Sequence, residues 1–95
     1  MTNKVVNNAE HHRFEMDTDD GHRPFIAYSQ HSGTIVLTHT EVPEALSGRG
    51  IGSLLVRGAL GLIRTDGLRV VPQCSFVAAY LQRHPEEQDL LAGPS

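Results

Sequence analysis

The stretch Ser47-Gly48-Arg49-Gly50-Ile51-Gly52-Ser53-Leu54-Leu55 joins two halves of the chain that follow different rules. Before it, apolar and polar residues alternate, and β-branched residues accumulate up to Val42-Pro43. After it, Ile51, Leu54, Leu55, Ala59, Leu62 and Ile63 recur at the spacing of one helix face. Glycines at positions 48, 50 and 52 allow a tight backbone turn and leave N–H groups open to a ligand. A helix that begins there adds its own unpaired N–H groups and the positive end of its dipole. The combination makes a site for an anion, a pyrophosphate above all. Taken alone, the string is equally a flexible turn into a helix. Two other phosphate-binding patterns do not fit it. A nucleotide P-loop requires Lys-Ser/Thr after its last glycine, where this chain has Ser53-Leu54. The Rossmann fingerprint G-x-G-x-x-G follows a parallel strand, whereas G-x-G-x-G here follows strands that read as antiparallel.

Working outward, the first forty residues predict strands at 4–7, 12–16, 24–29 and 34–42. Asp17-Thr18-Asp19-Asp20-Gly21 is a turn-rich break, and Gln30-His31-Ser32-Gly33 closes a hairpin. Short connections imply antiparallel neighbours. Thr65-Asp66-Gly67 ends the first helix, a fifth strand covers 68–72, and Ser75 or Gln73 caps a second helix with Phe76, Val77, Tyr80 and Leu81 inward. His84-Pro85 stops that helix, and a last helical turn runs from Pro85 to Leu91. Gly58 and Gly61 weaken the first helix by about 1 kcal/mol each relative to Ala, which implies close packing on the sheet. The order β-β-β-β-α-β-α predicts one α+β domain over residues 1–95, a mainly antiparallel sheet of about five strands with two main helices.

Ninety-five residues bury one modest core. Hydrophobic content of 39% and charged content of 20% fit a globular chain. With three Phe, two Tyr and no Trp, aliphatic packing must dominate. A net charge of −3 and a single lysine, Lys4, argue against nucleic-acid binding. No apolar run approaches the roughly 20 residues that span a bilayer, and no signal peptide is read at the N-terminus. The single cysteine excludes an internal disulfide and fits a reducing cytoplasm. The six histidines lack metal-ligand spacing, and Cys74 has no C-x-x-C partner, so no metal is expected.

The glycine string resembles the acyl-CoA pyrophosphate loop of the GCN5-related N-acetyltransferases, which usually reads R-G-x-G-I-G-x-x-L-L. The resemblance extends to His39-Thr40-Glu41-Val42-Pro43 before the loop, to Val71-Pro72-Gln73-Cys74-Ser75-Phe76-Val77 and Tyr80…Arg83-His84-Pro85 after it, and to Arg13-Phe14-Glu15 and Asp89-Leu90-Leu91. These motifs look like the small single-domain acetyltransferase-like subfamily, in which a cysteine lies beside the acyl-CoA site. The resemblance implies that Ser47, Gly48, Arg49, Gly50, Ile51, Gly52 and Ser53 hold the CoA diphosphate. It also implies that backbone near Glu41 and Val42 pairs with the pantetheine arm, as an added strand would. One departure stands out: the first loop position, normally Arg or Gln, is Ser47, and Arg49 compensates in part. Acetyl-CoA is then the donor and an amine the acceptor. The other reading is a CoA- or acyl-CoA-binding module without turnover.

Cys74 and His39 are the candidate catalytic residues. Cys74 falls at a strand-to-helix junction, where a helix N-terminus lowers a thiol pKa. It either accepts the acyl group from CoA or forms part of the pocket wall during direct transfer. In an unbroken strand, Ile35, Leu37, His39 and Glu41 share one face. His39 and Glu41 then serve as a general-base pair for the amine, or form a polar strand end in water. In the wider family a tyrosine near Tyr80 protonates the leaving sulfur; a core aromatic is the other reading. Arg83 reaches a phosphate or caps its helix. Full-size relatives carry helices between their first two strands, for which residues 4–42 leave no room. The acceptor side is therefore expected to be open, which suits a protein amine.

Overall fold

Strands β1 (Val5–Asn8), β2 (Arg13–Met16), β3 (Phe25–His31), β4 (Thr34–Glu41) and β5 (Arg69–Pro72) lie side by side in chain order. The computed structural model describes residues 4–18, 21–46, 48 and 50–92. The first three pairings are antiparallel, and β4 with β5 is parallel. That last direction follows from the crossover through α1 (Ile51–Thr65), because a helix returns the chain to the same end of the sheet. Helix α2 (Ser75–Arg83) packs against β4, β5 and α1. Short 3₁₀ turns at Ala9–His11 and Glu44–Leu46 were not expected, and the last helical turn is 3₁₀, Pro85–Leu90. The predicted order and class hold, with strand ends shifted by one or two residues. Of the expected turn at 17–21, Asp19 and Asp20 lie outside the described residues.

Helix α1 ends where Thr65-Asp66-Gly67 foretold. Gly67 has φ +71°, its N–H donates to the Arg64 carbonyl at 3.1 Å, and the Leu68 N–H reaches back to Ile63 at 3.1 Å. This paired closure satisfies the last carbonyls of the helix. Its buried arc contains Ile51, Leu55, Val56, Ala59, Leu60 and Ile63. The arc is rotated from the expected one: Val56 and Leu60 join it, and Leu54 is 43% exposed. The cause is double cover, since the sheet packs on one side of α1 while α2 and the C-terminal turn pack on another. Phe76 was also expected inward and is 38% exposed; the first turn of α2 faces the start of α1 rather than the sheet.

The fourth strand is not unbroken. Ala27 pairs with His39, but Tyr28 pairs with Leu37, so Thr38 is an extra residue, a β-bulge. The Thr38 hydroxyl donates to the Ala27 carbonyl at 3.2 Å, where the ladder breaks. The bulge reverses the facing of everything after it. Cross-strand partners share a face, and Thr40 pairs with the fully buried Ile26, which pairs with Phe14. Thr40 therefore joins Ile35 and Leu37 on the helix-covered face. His39 and Glu41 move to the opposite face, contrary to the expectation from simple alternation.

The two helix glycines differ. A Cβ at Gly58 would run into the Val5 side chain, so close packing explains it; a Cβ at Gly61 would meet nothing within 4 Å, so packing does not. Gly61→Ala should then stabilise the protein by about 1 kcal/mol through helix propensity. Gly58→Ala should destabilise it despite the same propensity gain, because overpacking costs roughly 1–3 kcal/mol. Urea unfolding of the two variants checks this; equal shifts would contradict the packing assignment.

Candidate active site

The pairing of β4 with β5 runs from Thr34↔Arg69 to Leu37↔Pro72 and goes no further. Pro72 has no N–H with which to extend the ladder. The Gln73 N–H turns back to Val71 at 3.2 Å, and the Cys74 N–H donates to the Leu37 carbonyl at 2.9 Å. The two strands part at this point, and beyond it β4 continues through Glu41 with no described strand paired to the edge towards β5.

At the far end of that edge lies a pocket of about 280 Å³, lined by Val42, Leu46, Gly48, Gly50, Ile51, Gly52, Ser53 and Phe76. Of the expected cofactor residues it brings together Val42, Gly48, Gly50, Ile51, Gly52 and Ser53. Glu41 is not in its lining, and Ser47 and Arg49 lie outside the described residues. The first intrahelical bond of α1 runs from the Leu54 N–H to the Gly50 carbonyl at 3.1 Å. The N–H groups of Ile51, Gly52 and Ser53 precede it and have no helical acceptor. The N-cap is Gly50 at φ +71°, with no side chain to occupy them. Three donors at the positive end of a fifteen-residue helix thus belong to residues that line the pocket.

Gly52 has a second duty. The Phe76 ring lies against it, and a Cβ there would sit 2.6 Å from the ring's Cζ. Phe76 thereby closes the pocket from the α2 side. Sequence reading missed Phe76 and Leu46 as lining residues. The signal available for Phe76 was its place in the first turn of a helix that starts beside the glycine turn.

Cys74 is the N-cap of α2, a place expected for Ser75 or Gln73. Its sulfur is 3.2 Å from the Thr40 hydroxyl. Burial pushes the thiol up, but the Thr40 hydroxyl and the N–H groups of Val77, Phe76 and Thr40 outweigh it and hold Cys74 below the ordinary thiol value. The side chain makes no capping hydrogen bond, and the helix acts on the sulfur through the direction and partial charge of its first amides. Sequence reading missed Thr40, because nothing in the alternation announced the bulge.

His39 and Glu41 are joined at 2.9 Å, Nε2 to Oε1, on the face away from Cys74, and both are exposed. The Phe25 ring stands edge-on to His39 at 6.3 Å, and the Arg13 guanidinium lies over the same ring at 4.6 Å. Arg13 Nε also donates to Glu15 at 2.6 Å, and Asn8 donates to Glu15 at 3.1 Å. Tyr80 is buried and stacks on His84 at 4.0 Å; burial, then Glu87, pushes its hydroxyl up. Arg83 is exposed at the end of α2. Among the described residues no three His, Cys, Asp or Glu side chains converge as a metal site would require.

A family model described as GCN5-related N-acetyl-transferase matches residues 13–90. Protein NATD1 of Mus musculus is 30% identical over 89 residues, 92% of this chain and 81% of that protein. Protein NATD1 of Xenopus tropicalis is 35% identical over 57 residues, 60% of this chain, and the match spans about half of that protein, 52%. The solution structure of a GCN5-like protein from Staphylococcus aureus superposes with a TM-score of 0.72 at 24% identity, covering 100% of this chain and 94% of that one. This last likeness concerns the fold.

Glu15 makes the open face of the sheet sensitive to acid. It is 5% exposed; burial alone would raise its pKa, but the Arg13 and Asn8 hydrogen bonds and the charges of Arg13 and Arg23 hold it below the usual carboxylate value. A carboxylate depressed in the folded state contributes stability above its unfolded pKa, and that contribution is lost as pH falls towards the folded one. Wild type should therefore exceed Glu15→Gln in stability at neutral pH, with the gap narrowing below about pH 4–5. Denaturant midpoints against pH measure it; a gap that does not change with pH would refute the assignment.

Proposed function

The chain belongs to the GCN5-related N-acetyltransferase family, and from that premise we propose that it moves an acetyl group from acetyl-CoA to an amine. The observation that carries this reading is the pocket where the end of β4 beyond its pairing with β5 meets the first three N–H groups of α1, which have no helical acceptor. The diphosphate of CoA sits on the amides of Ile51, Gly52 and Ser53, which supply fixed partial positive charge without a cation. The pantetheine arm runs along the free edge of β4 near Glu41 and Val42, taking the place of the missing strand. The thioester then points to the fork, beside Cys74.

In the first step the Cys74 thiolate attacks the thioester carbonyl, the carbon–sulfur bond to CoA breaks, and the CoA thiolate leaves and takes up a proton. In the second step the amine attacks acetyl-Cys74 through the fork, the new carbon–sulfur bond breaks and restores the Cys74 thiolate, and the amine proton passes to water, while His39 and Glu41, across the strand from the sulfur, face the acceptor. The amine approaches from the open face. The exposure of His39 and Glu41 favours an acceptor carried on a larger molecule, a protein amine, over one enclosed in a small cavity.

Calorimetric titration tests the donor site. Wild type should bind CoA and acetyl-CoA, and Gly50→Glu should lose at least tenfold in affinity, since it puts a side chain at φ +71° and a negative charge where the diphosphate sits. Equal binding by both would remove the pocket from the reading. Mass spectrometry after acetyl-CoA incubation should find one acetyl group on Cys74; trapping experiments without that adduct would leave direct transfer. His39→Ala should spare CoA affinity and the acetylation of Cys74, because His39 stands across the strand from the sulfur. Stoichiometric binding with no release across many amines would make the protein a binding module.

A further inference from the structure

Thr40 owes its position to the bulge. Without the extra residue at Thr38 it would face the open side of the sheet, and His39 would stand where Thr40 does. With the bulge, Thr40 pairs with Ile26 over the core, and its Oγ1 lies 3.2 Å from the Cys74 sulfur. Both partners are held from outside the contact. The Cys74 N–H is fixed to Leu37 at 2.9 Å, and the bulge is closed by the Thr38 hydroxyl on Ala27. Geometry of this kind is expected where a strand irregularity re-aims a side chain towards a working group.

We propose that Thr40 is the positioning residue for Cys74: its hydroxyl donates to the sulfur, fixes the side chain towards the fork, and favours the thiolate that attacks. A hydrogen bond to an ionised acceptor is stronger than one between neutral groups, so the contact stabilises the reactive form more than the resting one. The neighbourhood leaves this task to Thr40. The other groups that lower the thiol are the backbone N–H groups of Val77, Phe76 and Thr40. His39 and Glu41 flank Thr40 in β4 but stand on the opposite face. The proposal takes its catalytic meaning from the reading of Cys74 as acyl acceptor, while its test needs no acetyl-CoA.

Cys74 is the single cysteine of the chain, so alkylation of the whole protein reports on this one sulfur. The rate with excess iodoacetamide, in which the thiolate displaces iodide to form a thioether, is followed against pH. Thr40→Val, which keeps the shape and removes the hydroxyl, should move the profile to higher pH and slow the reaction at neutral pH roughly threefold. That figure is a tenfold loss of thiolate partly offset by the greater nucleophilicity of a more basic sulfur. Thr40→Ala, which any fold holding threonine accommodates, should move it in the same direction. Thr40→Ser should restore the wild-type profile, and in guanidinium all four proteins should coincide. A Thr40→Val profile superimposed on wild type overturns the proposal, as does a Thr40→Ser profile displaced as far as that of Thr40→Val. The two readings fail separately. An altered profile without an acetyl adduct on wild-type Cys74 keeps the role of Thr40 and ends the covalent route; an adduct with superimposed profiles does the reverse.

Discussion

One hydrogen bond, from the Cys74 N–H to the Leu37 carbonyl, decides where the sheet opens. Up to that point β4 and β5 are a parallel pair with side chains buried between sheet and helices. Past it, β5 has already turned into α2 and β4 runs on alone. A strand edge inside a small protein is costly to leave bare. Here the edge ends at the pocket and the start of α1, where an extended ligand can take the missing partner's place. The fork therefore sets three things together: a strand end beyond its β5 partner, a cysteine at a helix N-terminus, and a pocket lined by the first turn of α1.

Much of this was legible in the chain. Two prolines mark the two tines of the fork: Pro43 follows the end of β4, and Pro72 is the last residue of β5. The glycine turn and the change from two-residue to helical periodicity located the start of α1, and Thr65-Asp66-Gly67 located its end. These features are local, and local chemistry decides them. What escaped the sequence depends on contacts between distant segments. Whether Leu54 or Leu60 is buried is decided by how α1 is covered by the sheet and α2 together. Phe76 is outside the core because its first-turn neighbour is Gly52, which lies far away in the chain.

The bulge is the largest of these omissions. Period-two alternation holds only while every residue of a strand has a partner, and a single unpaired residue inverts the facing of those that follow. The segment Thr38-His39-Thr40-Glu41 carries no glycine or proline to announce such a residue. Alternation therefore put His39 on the face of Leu37, and the structure puts Thr40 there. The consequence is chemical. The sulfur meets a neutral hydroxyl, while the imidazole and the carboxylate stand across the strand in solvent.

This division of labour also bears on the proposal that a chain of net charge −3 holds a diphosphate. The described residues lining the pocket are apolar or neutral: Val42, Leu46, Ile51, Phe76, three glycines and Ser53. Among the described residues the attraction on offer is that of oriented peptide dipoles, which carry no desolvation penalty comparable to that of a buried ammonium or guanidinium. Each glycine in the lining serves that end differently. Gly50 adopts the left-handed turn that starts the helix, and Gly52 makes room for Phe76, whose ring lines the pocket beside the first turn of α1. Interactions made by fixed dipoles in a partly dry pocket are screened less by salt than those of exposed side chains. Arg13, Glu15, His39 and Glu41 stand on the open face, linked through Phe25. The pocket and the ionisable groups of the open face thus lie on separate surfaces, with β4 between them.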